Sequence, residues 1–360
     1  MEVAGRFNTA AVFEEVVSNY ARAVDAAGGF ASDDYVIAGA PVSLRFAGAA
    51  LRERFTPAFA HLVAPASGGL RRPSLTVHLW DSASTGIEPP PRPRAGEAHA
   101  VGALYHLHEP PLRVAYQPGL DTLSILDTQA NAAWHWVRDA PAQSSWEQAC
   151  PIRQILFWWL ASRGYLQIHG AAVGTPVGGV VLVGQPGAGK STVALACLGS
   201  ELLYAGDDYV AATLDPTPAV ASLYNSGKVG PDHVRERLPN LRPLLAGANL
   251  FEGEKVVFYV HEHLPGSTTS GFPLEALLVP KFDASRRESS FAEIPRASAF
   301  AALAPSTMFQ LHTAGKDELS TMSNLVAGLP CYAFEFGPDL STIPAMIGAL
   351  ISKLSSDRRA

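Results

Sequence analysis

Three short stretches carry residues that could do chemistry together. The first is VVLVGQPGAGKSTVALACL, from Val180 to Leu198. Within it GQPGAGKS fits G-x-x-x-x-G-K-[ST], the phosphate-binding loop that joins a strand to a helix. Gly184, Gly187, Ala188 and Gly189 form a loop whose backbone N–H groups can turn toward phosphate oxygens. The helix that opens near Gly189 adds its positive end. Lys190 can neutralise charge on the β- and γ-phosphates, and Ser191 can ligate Mg²⁺. Thr192 can add a contact to the α-phosphate. An apolar run precedes the loop and a helical pattern follows it, the context that such a loop needs.

The second stretch is AGDDYV, which carries Asp207 and Asp208. An apolar run leads into it, so both carboxylates stand where a strand leaves the core. Adjacent residues of an extended segment point to opposite faces. One carboxylate can then help to hold Mg²⁺ while the other accepts a proton from a hydroxyl. A turn that happens to hold two aspartates is the plain alternative. The third stretch is LQIHGAAVG, whose His169 lies on the strand before the loop strand, joined to it by the turn TPVGG. A hairpin there would bring His169 toward the phosphates, to handle a proton or to hold Asp207 by a hydrogen bond. A histidine bonded to backbone in the core is the plain reading of His169 taken alone.

In this order, H-G-A-A-V, a glycine turn, G-x-P-G-x-G-K-S-T and G-D-D-Y-V resemble the HPr kinase/phosphorylase family over about residues 169–210. The resemblance implies an α/β P-loop kinase domain, structurally akin to phosphoenolpyruvate carboxykinases. It implies transfer of the γ-phosphate of ATP, with Mg²⁺, to a hydroxyl. Carried over by motif, Asp207 and His169 handle the proton, Lys190 acts on the phosphates, and Ser191 and Asp208 serve the metal. The acceptor is a serine of a peptide or small protein, or a free metabolite. The chain departs from the family in SLYNSGKVG, from Ser222 to Gly230, where the family's glycine-rich signature ends in an acid and this segment has none. The rival reading is a nucleotide-binding sensor or scaffold that keeps the loop without turnover. An ABC-type ATPase fits less well, because no LSGG-like signature is found and the aspartates come too soon.

The elements that must position these residues fall into two groups. Residues 1–140 read as a mixed α+β module for substrate selection or interaction. It has an amphipathic helix over Ala10–Ala27 with Val12, Val16, Tyr20 and Val24 on one face. Short strands follow, interrupted by the proline-rich loop EPPPRPRAGE. Residues 141–360 read as the P-loop domain, opening on a long helix, SWEQACPIRQILFWWLASRGY, and alternating strands and helices to the end. Lys228 and Lys255 are two of few lysines; an exposed role is the plain reading of both, and Lys255, which opens an apolar strand, is the better candidate for phosphate. The HEH and HLHE pairs lack further ligands for zinc. Trp134, Trp136, Trp158 and Trp159 read as core or interface aromatics.

Bulk properties agree with this division. The chain has 360 residues, enough for two domains, with 48% hydrophobic and 17% charged residues. A formal net charge of −6 gives no field for nucleic acid. Cys150, Cys197 and Cys331 are scattered, which suits reduced thiols. The start lacks a signal-peptide pattern, and no apolar run is long enough to span a membrane. A soluble, cytoplasmic protein is expected, with self-association into a homo-oligomer left open.

Overall fold

The computed structural model describes residues 9–65, 72–89, 99–101, 104–230, 234, 237–245, 255–311 and 313–359. Most of the proline-rich loop, and the first eight residues of the N-terminal segment, lie outside them. The chain divides into two compact units, one of residues 1–57 and 62–162, the other of residues 58–61 and 163–360.

The first unit holds α1 (Thr9–Ala26), β1 (Phe30–Ile37), β2 (Ala40–Ala47), most of α2 (Ala50–Phe59), β3 (Leu75–Asp81) and α3 (Ser82–Thr85). It continues with β4 (His99–Val101), β5 (Leu104–Glu109), β6 (Leu112–Gln117), β7 (Thr122–Asp127) and β8 (Ala132–Val137), then α4 (Ser145–Ala149) and α5 (Arg153–Ala161). Its strands form one eight-stranded sheet in the order β1-β2-β3-β8-β7-β6-β5-β4. The pairs β2–β3 and β3–β8 are parallel and the others antiparallel. The amphipathic pattern of α1 has a structural outcome: Val12, Val16, Tyr20 and Ala23 are buried against Trp80, Ile125, Trp134 and Trp136 of the sheet.

Two expectations change here. The helix expected from Ser145 is two helices, because Pro151 removes a backbone donor and Ile152 turns to φ 50° between them. The boundary expected after residue 140 falls after Ser162. The cause is the apolar face of α5, whose Ile155, Leu156, Trp158 and Trp159 are buried and which packs on β7 of the first sheet.

The second unit is built on a nine-stranded sheet. Its strands are β9 (Leu166–His169), β10 (Ala171–Thr175), β11 (Gly178–Leu182), β12 (Leu203–Gly206), β13 (Tyr209–Thr213), β14 (Ala219–Ser222), β17 (Gly271–Phe282), β18 (Ser290–Glu293) and β19 (Cys331–Phe336). A separate two-stranded ribbon pairs β15 (Ser226–Val229) with β16 (Val256–Tyr259). The helices are α6 (Lys190–Ala196), α7 (Val260–His263), α8 (Arg296–Gln310), α9 (Lys316–Gly328) and α10 (Ile343–Arg359). α6 and α10 cover one face over Val173, Val180, Leu182 and Leu278. α8 and α9 cover the other over Ile168, Val181, Val210 and Leu277. Mixed sheets with helices on both faces make this an α/β unit.

Two paired segments shape the functional end. β10 pairs antiparallel with β12, and β9 with β13. The first segment therefore changes direction at Gly170 and the second at Asp207–Asp208, side by side. The Gly170 amide donates to the Asp208 carbonyl at 3.0 Å and pins the two bends together. A Cβ on Gly170 would lie 2.8 Å from the Leu182 carbonyl oxygen, so only glycine fits this crossing. Among the described residues no helix is long and apolar enough to cross a membrane.

Candidate functional site

The loop between β11 and α6 turns on three glycines. Gly184, Gly187 and Gly189 take φ of 154°, 85° and 100°, a region that side chains with a Cβ rarely enter. Gly189 is constrained twice, since a Cβ there would also lie 2.7 Å from the Phe336 ring. Lys190 opens α6 and folds back: its Nζ donates to the carbonyls of Gly184 at 2.8 Å and Gln185 at 3.3 Å. Burial pushes the Lys190 ammonium down to about 8; Asp208 opposes that shift, Lys255 adds to it and Asp207 opposes it. Lys190 and Thr192 are buried, while Ser191 turns its hydroxyl toward the Asp207 carbonyl oxygen at 3.5 Å.

The two aspartates face different surroundings. Asp207 is 2% exposed; its Oδ2 accepts the Lys228 backbone N–H at 3.2 Å and its Oδ1 has no hydrogen-bond partner among the described residues. Burial first, then the charge of Asp208, pushes the Asp207 carboxyl up to about 6, against the opposing Lys228 N–H and charge and the Tyr204 hydroxyl. Asp208 is less enclosed. Its Oδ2 accepts from Lys228 Nζ at 2.5 Å, and its Oδ1 lies 3.3 Å from His169 Nε2. Burial alone would raise this carboxyl; the His169 hydrogen bond and the Lys228 charge outweigh it and hold Asp208 well below the usual carboxylate range.

His169 is positioned from both sides. It ends β9 opposite Tyr209, and the two rings lie 5.5 Å apart. Its Nδ1 lies 2.6 Å from Ser306 Oγ on α8, and its backbone N–H donates to Thr307 Oγ1 at 3.3 Å.

Lys190, Ser191, Asp207, Asp208 and His169 are thus brought to one end of the sheet, with three differences from the sequence reading. The hairpin before the loop spans Ala171 to Leu182 and leaves His169 outside it, beyond Gly170. The partner of His169 is Asp208, not Asp207, because register pairs the ring with the Tyr209 rung next to Asp208. Lys228, read as exposed, is buried and touches both aspartates, while Lys255 is exposed. Ser306 and Thr307 had no signal in the sequence; they come from a helix more than a hundred residues downstream. The HEH pair lies on the helical turn α7 rather than on a strand, and no cluster of three metal-ligating side chains occurs among the described residues.

The environment of Asp207 makes a testable statement. Its folded pKa lies above the ordinary 3.8, at about 6, so the folded protein holds this proton more readily than the unfolded chain. The group therefore supports the fold below pH 4 and loses that support as pH rises through about 6. Asp207→Asn should be more stable than wild type at pH 7 by up to about 3 kcal/mol, and the advantage should vanish by pH 4. Urea unfolding of both proteins across that range checks it; a difference independent of pH would contradict it.

No protein-family model matches the chain, and no curated protein matches it. Among solved structures, the Hpr(Ser) kinase/phosphatase from Coxiella burnetii is similar over 54% of this chain and 99% of that one, with 9% identity and a TM-score of 0.30. That is a distant structural relationship, and the functional reading rests on the site itself.

Proposed function

We propose that the protein is a kinase that transfers the γ-phosphate of ATP to a hydroxyl, a serine of a peptide or small protein or a free metabolite. The observation that carries this reading is the pairing of an ionised, partly accessible Asp208 with His169 beside a complete phosphate-binding loop. A loop alone binds nucleotide; a base beside it adds the capacity to accept an alcohol proton.

The fit to Mg²⁺ rests on Asp207, whose buried Oδ1 has no hydrogen-bond partner among the described residues and whose carbonyl adjoins the Ser191 hydroxyl. Ser191 and Asp207 would hold the ion. When bound, Mg²⁺ supplies positive charge to the β- and γ-phosphates. The geometry therefore favours exchanging the roles that the motif suggests for the two aspartates. Asp208 takes the acceptor proton, since it is the accessible carboxylate of the pair and Asp207 is enclosed. The acceptor oxygen then bonds to the γ-phosphorus as the bond to the β–γ bridging oxygen breaks, and ADP leaves with that oxygen. Lys190 exchanges the Gly184 and Gln185 carbonyls for phosphate oxygens, and the loop amides orient the chain of phosphates. The three free cysteines are buried and suit a reducing cytoplasm.

The test is incubation of the purified protein with γ-labelled Mg-ATP and a panel of serine, serine-containing peptides and cell extract. Label moving to a hydroxyl acceptor is expected. ATP binding with no transfer to any acceptor would favour the sensor or scaffold reading. Lys190→Ala should weaken ATP binding about tenfold, because one phosphate counter-charge of about 1.4 kcal/mol is lost. Calorimetric titration measures this, and unchanged affinity would remove Lys190 from the phosphate site.

A further inference from the structure

One contact of the site has no place in the kinase scheme. Ser306 is 5% exposed on α8, and its hydroxyl meets His169 Nδ1 at 2.6 Å. A serine inside a helix more often bonds a carbonyl one turn back or faces solvent. Here the same turn of α8 makes three ties to one rung of the β9–β13 ladder. Ser306 holds the His169 ring, Thr307 accepts the His169 N–H, and Gln310 Oε1 accepts from the Tyr209 hydroxyl at 3.1 Å. The rung is the His169–Tyr209 pair itself.

The chemistry of the partners fixes who donates. An ionised carboxylate is an acceptor only, so the hydrogen bond to Asp208 requires the proton on His169 Nε2. A neutral ring then presents a lone pair at Nδ1, and the Ser306 O–H must donate to it. We propose that Ser306 is a positioning residue that fixes the His169 tautomer, with the ring proton on Nε2 facing Asp208. Its effect on phosphate transfer rests on the kinase reading; its effect on the ring does not. The hydroxyl can rotate to accept from Nδ1–H should the ring become charged, so the ring stays seated in both states.

The experiment has two readouts on the full chain. In protein labelled with ¹⁵N-histidine, NMR at pH 8 should show His169 protonated at Nε2, with Nδ1 bare and shifted as a hydrogen-bond acceptor. In Ser306→Ala the Nδ1 resonance should move to that of an unbonded ring nitrogen, and in Ser306→Thr it should return. In kinetics Ser306→Ala should lower kcat about ten- to a hundredfold with ATP affinity unchanged, and Ser306→Thr should recover most of it. A His169 proton on Nδ1 in the wild type overturns the inference without any variant, and so does an Nδ1 resonance indifferent to Ser306→Ala. Absence of phosphate transfer by the wild type would defeat the kinase reading, while the spectra would still decide the tautomer.

Discussion

Asp208→Asn should lower kcat for phosphate transfer about a thousandfold while leaving ATP affinity within about threefold of wild type. Asparagine keeps the shape of the side chain and one oxygen for Lys228 or His169. What it cannot do is accept a proton at neutral pH. The wild-type carboxylate is unprotonated, because His169 and Lys228 hold it ionised, and it is the more accessible of the two, although those same partners lower its basicity. Asp207 is set apart by access, not by basicity: its carboxyl is raised to about 6, which makes it the stronger base, but it is enclosed at 2% exposure. Asp207→Asn should therefore act through Mg²⁺, raising the concentration needed for half-maximal rate. Steady-state kinetics at saturating ATP, with Mg²⁺ varied, separates the two carboxylates. A fully active Asp208→Asn, together with an Asp207→Asn whose lost rate high Mg²⁺ cannot restore, would return the base to Asp207.

The choice between the two carboxylates is where the sequence stops being legible. The loop over Gly184–Thr192 is local: its glycine positions, lysine and hydroxyl lie within one turn, and Gly184, Gly187 and Gly189 take positive φ. The α/β character of the second unit also follows from local periodicity. Partner choice does not. Whether His169 meets Asp207 or Asp208 depends on a β9–β13 register set by residues about forty positions apart, and on the bend at Gly170. Neighbouring aspartates look equal in a string of letters, yet Asp207 is enclosed and takes only the Lys228 backbone N–H, while Asp208 lies between the Lys228 ammonium and the His169 ring. Ser306 and Thr307 belong to a helix with a proline inside it, and nothing in RASAFAALAPSTMFQ marks a site. The boundary between the units was obscured for a similar reason: a helix as apolar as α5 fits either neighbour, and only packing on β7 decides.

Lys228 is the residue whose type in the sequence most understated its place. Its ammonium is 5% exposed and bonds Asp208, and its backbone N–H serves Asp207. Removing one partner of a buried ion pair leaves the other charge without compensation, a loss of about 3–5 kcal/mol. Lys228→Met should therefore lower the unfolding free energy by about that amount, since two adjacent carboxylates would lose the cation between β15 and the Asp207–Asp208 bend. The double variant Lys228→Met/Asp208→Asn should recover at least half of the loss, because it removes the stranded charge. Arginine is a poor substitute: its planar fork is longer and would not fit a single short bond at the end of a strand. The segment SLYNSGKVG carries no acid, and Lys228 is its one charged side chain. The charge that this segment brings to the aspartates is therefore positive, opposing the collection of further cations and favouring an anionic phosphate. Urea unfolding of the two single variants and the double variant gives the coupling directly. Additive losses would mean that Lys228 and Asp208 do not support each other, and that the fold keeps this lysine for its backbone bond alone.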